Sequence, residues 1–133
     1  VFDLEATGHG SDFLAAGQEL ARRQRKRALM VLLTNSRDED SDELLLATRL
    51  LGQRHLVMVA NLREALLDAV MAEPVTGPEQ ALRHAGAADF LQRRGRVHDH
   101  LRRAGAYALD VTPDELPRAV VNQYLDIKRS GRL

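Results

Sequence analysis

The densest potential chemistry in this 133-residue chain follows an apolar run, in Asn35-Ser36-Arg37-Asp38-Glu39-Asp40-Ser41-Asp42-Glu43. Hard divalent cations are held by anionic oxygens, and this stretch offers five carboxylates. The same acids, Asp38 to Glu43, could serve a small doubly wound hydrolase or phosphoryl-transfer domain. Alternatively, Asn35, Ser36, Asp38, Glu39 and Asp40 could meet a basic protein partner. In open parallel sheets ligands bind just outside the carboxyl ends of the strands, which is where this segment falls if the preceding run is a strand. A plainer account is that the acids stay in solvent and complement the positive end of the following helix. On the sequence alone the plainer account is preferred.

The basic residues divide in the same way. Arg22-Arg23-Gln24-Arg25-Lys26-Arg27 could bind phosphate. Cations are also favoured at a helix carboxyl end, and no aromatic residues interleave to stack on bases. Arg93, Arg94, Arg96, Arg102 and Arg103 recur along another helical stretch and read as its solvated face. Of the histidines His9, His55, His84, His98 and His100, the close pair His98 and His100 points to different helix faces and cannot chelate one metal. His55 opens a strand and reads as a surface residue. There is no G-x-S-x-G, G-x-G-x-x-G or G-x-x-x-x-G-K, and no strand leads into Gly8-His9-Gly10. No catalytic or cofactor-binding residue is assigned, and the expectation is a protein that is not an enzyme.

Composition narrows the classes further. Lysine plus arginine number 19 and aspartate plus glutamate 19, so no global field steers the protein to nucleic acid or anionic lipid. Aromatic residues are 4% of the chain, too few for a base-stacking platform. Cysteine is absent, which removes disulfides, thiolate catalysis and zinc–thiolate sites and fits a cytoplasmic protein. The longest apolar runs are far too short to span a bilayer. Nothing in Val1–Glu5 reads as a natural start, so Val1 is expected to be a boundary within a longer protein.

Ala28–Thr34, His55–Ala60 and Tyr107–Val111 are predicted strands. The first two lack polar alternation, as expected of parallel strands covered on both faces. The third is more polar and is expected at an edge. Between them lie helical patterns. One is capped by Ser11 or Asp12 and reaches about Gln24, and one opens at Asp40 or Ser41 and stops at Gly52. A short one spans Arg63–Met71, with Leu66, Leu67 and Val70 together. Thr76-Gly77-Pro78-Glu79 has capping-box spacing and predicts a long helix to about Arg103, with Leu82, Ala85, Phe90, Val97 and Leu101 inward and a break near Gly95. Thr112-Pro113-Asp114-Glu115 repeats the capping pattern before a last helix over Pro117–Arg129, with Val120, Val121, Tyr124 and Ile127 inward. The order α-β-α-β-α-α-β-α implies an α/β fold with a parallel sheet between helices.

Leu29-Met30-Val31-Leu32-Leu33-Thr34-Asn35, Gly10-Ser11-Asp12-Phe13, Arg54-His55-Leu56-Val57 and Val121-Asn122-Gln123-Tyr124-Leu125-Asp126-Ile127-Lys128-Arg129 together resemble a bacterial family of von Willebrand factor A-like proteins. Members are often encoded beside MoxR-type AAA+ ATPases. The resemblance runs along essentially the whole chain and implies that residues 1–133 are the carboxy-terminal half of such a domain. It further implies a truncated Rossmann-like three-layer sandwich with about three parallel strands, acting as a protein-interaction module. The family's metal-ion-dependent adhesion site takes ligands from three loops. Ser11 matches the second position and Asn35 the third, where the family usually has aspartate, while the first loop would lie upstream. A neutral amide removes charge that a hard cation needs, so no bound cation is expected in this chain and Mg2+ only in an intact domain. The resemblance also places the strand 28–34 beside one that this chain lacks, which predicts an exposed apolar edge and a homodimer through it, unless Val1–Glu5 caps it. An upstream segment could tether the protein to a membrane.

Overall fold

The structure, a computed structural model, describes residues 13–35 and 41–133. Leu29–Thr34, Leu56–Leu62 and Tyr107–Val111 form strands β1, β2 and β3. They pair in parallel in the order β1-β2-β3, so the more polar β3 is at an edge as expected. Five helices flank the sheet: α1 (Phe13–Arg23), α2 (Ser41–Gly52), α3 (Ala65–Ala72), α4 (Pro78–Arg103) and α5 (Leu116–Arg129). The element order matches the one read from the sequence, and the architecture is a Rossmann-like three-layer α/β sandwich.

The register sorts side chains onto two faces, because successive residues of a strand point opposite ways. Met30 stands beside Val57, Leu32 beside Val59, and Val59 beside Ala108. These residues form one core with Leu44 and Leu51 of α2 and Leu101 of α4, and Phe13, Leu20 and Ala21 of α1 close it. Leu44 and Leu51 are wholly buried, each stabilising the fold by about 1.5–3 kcal/mol. The helices α1 and α2 meet closely at Gly17, where a Cβ would stand 3.2 Å from Cβ of Ala47. On the opposite face Met58 and Ala60 are fully covered, and α5 packs on β2 and β3 through a stripe ending in buried Ile127. Val31 and Leu33, the β1 residues of that face, are 40% and 58% exposed.

Several expectations about the helices need correction. The first residue of α4 is Pro78 with Gly77 at its N-cap and no side-chain cap, so Thr76 lies one position too early for a capping box with Glu79. There is no break at Gly95, because packing along the whole helix outweighs the low helix propensity of one glycine. Leu82 is 76% exposed and Ala85 is also outside, whereas Ala87, Arg94 and His98 face inward beside Leu101, which is buried as expected. Leu66 is exposed on α3, which buries no residue fully. On α5, Val121 and Tyr124 are exposed rather than inward. Half of the second capping pattern does form, since Glu115 Oε2 accepts the Thr112 N–H at 3.2 Å. Helix α4 ends in a Schellman turn: Gly105 takes φ 93°, and Ala106 N–H donates to Leu101 O at 3.0 Å.

Candidate functional site

Parallel strands bring their carboxyl ends together, and here that end carries a polar row. Thr34 pairs with Asn61 and Asn61 with Asp110, on the face that carries the α2–α4 core. Thr34 is 6% and Asn61 1% exposed, so a polar layer caps an otherwise apolar core. Helix α4 runs along it and turns Arg94 and His98 inward on the same stripe as Ala87 and Leu101.

Arg94 is the hub. Its Nη2 donates to Asp110 Oδ1 at 2.9 Å, to the Leu62 carbonyl at 3.1 Å and to the Asn61 carbonyl at 3.4 Å. The Phe90 ring lies under its guanidinium, 5.8 Å from Cζ to the ring centroid. Arg63, just past β2, reaches Asp110 Oδ1 at 3.2 Å and Asp68 Oδ2 of α3 at 2.9 Å. Asp110 thus joins two arginines from different segments. His98 Nε2 lies 3.4 Å from Asn61 Nδ2.

The electrostatics follow from this crowding. Burial pulls the Asp110 carboxyl upward, but the Arg94 hydrogen bond and the charges of Arg94, His98 and Arg63 outweigh it and hold the group below the usual carboxylate range. Burial also holds His98 below its ordinary value, helped by Arg94 and Arg102 and opposed by Asp110. The surroundings thus disfavour the charged form of His98. Chemically the arrangement is a clamp. It neutralises the ionised Asp110, supplies donors to strand-end carbonyls and fixes α4 and α3 to the sheet.

The residues predicted for this end fare differently. Asn35 is exposed directly after β1. Ser11, Ser36, Asp38, Glu39 and Asp40 lie outside the described residues. Of the family-matched metal positions, only Asn35 can be placed. A single neutral amide does not fit a hard divalent cation, and among the described residues no group of three His, Cys, Asp or Glu could hold a metal.

Two sequence readings are overturned. Arg94 is not on a solvated face but 4% exposed, because it falls on the inward stripe with Leu101. His55 is not a surface residue either. It is 4% exposed, and its Nδ1 accepts the Ala28 N–H at 3.1 Å, latching β2 to the start of β1. An open cleft of about 360 Å³ lies beside it, lined by Ala21, Leu50, Gln53, Arg54 and His55, at the end of the sheet away from the polar row. The clamp itself went unassigned in the sequence. Its signal was present, since Arg94, His98 and Leu101 share helical spacing and Asp110 shares period-two alternation with Ala108.

No protein-family model, curated protein or solved structure matches the chain. Among the described residues no helix is long and apolar enough to cross a membrane.

Proposed function

We propose that the chain is a non-enzymatic protein-interaction module whose working surface is β1 and the rim at its carboxyl end. The observation that carries this reading is the strip of Val31 and Leu33, left 40% and 58% exposed on a strand that pairs on one side only among the described residues. An apolar strand with a bare face and an open ladder invites another chain. The clamp supports the same reading, because its charged groups are spent on one another and on backbone carbonyls.

By its resemblance to von Willebrand factor A-like proteins, the chain is the carboxy-terminal half of such a domain. It acts in the cytoplasm with a MoxR-type AAA+ ATPase, and it also forms homodimers through the edge of residues 28–34. Asn35, Ser36, Asp38, Glu39 and Asp40 are the candidate contacts to the ATPase, and Mg2+ enters only in an intact domain. Capture of a MoxR-type ATPase on the immobilised chain, with and without magnesium, tests this together with sedimentation of the chain alone. Association of either kind, weakened by Leu33→Asp, is the expected result. Neither association, or associations indifferent to Leu33→Asp, would overturn it.

A further inference from the structure

We propose that the cleft beside His55 binds the phosphate group of a small phosphate monoester. The site lies at the amino end of the sheet, away from the polar row, and is independent of the reading of β1 as a working surface. Its volume of about 360 Å³ is that of a small-ligand cleft, and it joins apolar Ala21 and Leu50 to three consecutive polar residues, Gln53, Arg54 and His55.

His55 supplies the observation that points to a ligand. Its Nδ1 accepts the Ala28 N–H, so the proton of the ring sits on Nε2. That Nε2–H belongs to a residue only 4% exposed and has no hydrogen-bond partner. A buried donor without an acceptor is costly and rare. A ligand oxygen in the cleft satisfies it, after the small side-chain shift that uncovers the nitrogen. The backbone N–H groups of Gln53, Arg54 and His55 are spent on the carbonyls of Leu50 and Leu51, which fixes this turn and leaves recognition to side chains. Gln53 and Arg54 are both exposed and available for it.

Charge selects the ligand. A parallel sheet gathers the starts of its strands at one end, and here Arg25, Lys26 and Arg27 stand before β1, Arg54 before β2, and Arg102 and Arg103 before β3. Glu19, the acid nearest to Arg25 in the sequence, is already bound to Arg22 and Arg23. A chain of zero formal net charge thus concentrates positive charge around this cleft. A phosphate monoester brings close to two negative charges and three acceptor oxygens, enough for the His55 Nε2–H, the Arg54 guanidinium and the Gln53 amide together. A carboxylate brings one charge and two oxygens. Neither phenylalanine nor tyrosine is among the described residues that line the cleft, which disfavours a nucleobase and favours a small aliphatic body against Ala21 and Leu50.

Isothermal titration calorimetry of the chain with glycerol phosphate, and with glycerol as the control, tests the site. Glycerol phosphate is expected to bind and glycerol not. Arg54→Ala should raise the dissociation constant about tenfold, as loss of one charge-assisted hydrogen bond does. His55→Asn keeps an acceptor for the Ala28 N–H but removes the Nε2 donor, so it should weaken binding similarly with unchanged circular dichroism. If that variant unfolds, Arg54→Ala and Gln53→Ala carry the test, because both side chains are exposed. Arg118→Ala, at an exposed arginine near the start of α5, should change nothing. Absence of binding, binding indifferent to Arg54→Ala, or equal weakening by Arg118→Ala would each overturn the proposal. Binding of poly-glutamate but not of glycerol phosphate would overturn it too, and would make the basic end a docking face for acidic proteins.

Discussion

Nη2 of Arg94 stands 2.9 Å from Oδ1 of Asp110, tying the middle of the longest helix to the edge strand β3. The arginine side chain is 4% exposed and the carboxylate side 25%, so the pair lies at the boundary between core and solvent. A buried pair of this kind adds little over a well-packed apolar pair, but breaking it leaves one charge uncompensated.

Arg94→Ala is therefore expected to lower unfolding free energy by about 2–4 kcal/mol, since Asp110 loses a partner and the Leu62 carbonyl loses its donor. Arg63 still reaches Asp110 and limits the damage. The double variant Arg94→Met with Asp110→Leu should be distinctly less destabilised than Arg94→Ala. Urea denaturation of the single and double variants reads the difference, and equal losses would mean that the arginine acts by packing alone.

Acid should weaken the fold in two stages. His98 has its folded pKa lowered from 6.5, so its stabilising contribution is complete above pH 6.5 and is lost as pH falls toward the lower folded value. Asp110 has its folded pKa lowered from 3.8, so its contribution is complete above that pH and is lost as pH falls through the folded value. Thermal melting points measured from pH 8 to pH 3 should show an upper step that His98→Gln removes and a lower one that remains. An upper step of full size in the His98 variant would assign it to another group.

The strands were legible because parallel strands are written as nearly uninterrupted apolar runs, but only Leu56–Leu62 is covered on both faces as that pattern implies, whereas Leu29–Thr34 leaves Val31 and Leu33 bare. Helix α4 was legible in extent but only partly in orientation, since Val97 and Leu101 face the core as read while other positions do not. It turns Arg94 and His98 inward and Leu82 outward, so polarity misreports its faces. The clamp shares that cause. An arginine reads as solvated until a carboxylate distant in sequence is brought beside it, and Asp110 is 16 residues away. His55 failed similarly, because its partner is the Ala28 backbone N–H, which has no side-chain signature.

Magnesium should leave the melting temperature of this chain unchanged. A ligand stabilises a fold only by binding it in preference to the unfolded chain. The one family-matched metal position that the structure describes is a neutral amide, Asn35. Differential scanning fluorimetry across a magnesium titration checks this, with sodium chloride at matched ionic strength as the control. A saturable rise specific to magnesium would show that other oxygens complete a site.

The contact between α1 and α2 gives a prediction from shape alone. A Cβ on Gly17 would stand 3.2 Å from Cβ and 3.4 Å from Cα of Ala47, closer than side chains normally approach. Gly17→Leu has no room unless α1 lifts away, which also withdraws Leu20 and Ala21 from the core they help close. The expected loss is about 1–3 kcal/mol, as for overpacking elsewhere. Gly17→Ala needs the neighbour to give by only a few tenths of an ångström, and alanine restricts the unfolded chain more than glycine does, which offsets that cost, so its net effect should be small. Combining it with Ala47→Gly relieves the contact but puts a glycine inside α2, which costs about 1 kcal/mol. Close packing at the helix crossing therefore requires the order Leu below Ala in stability at position 17. Equal stability of the Leu and Ala variants in urea titrations would mean that α1 is not held against α2 at this point.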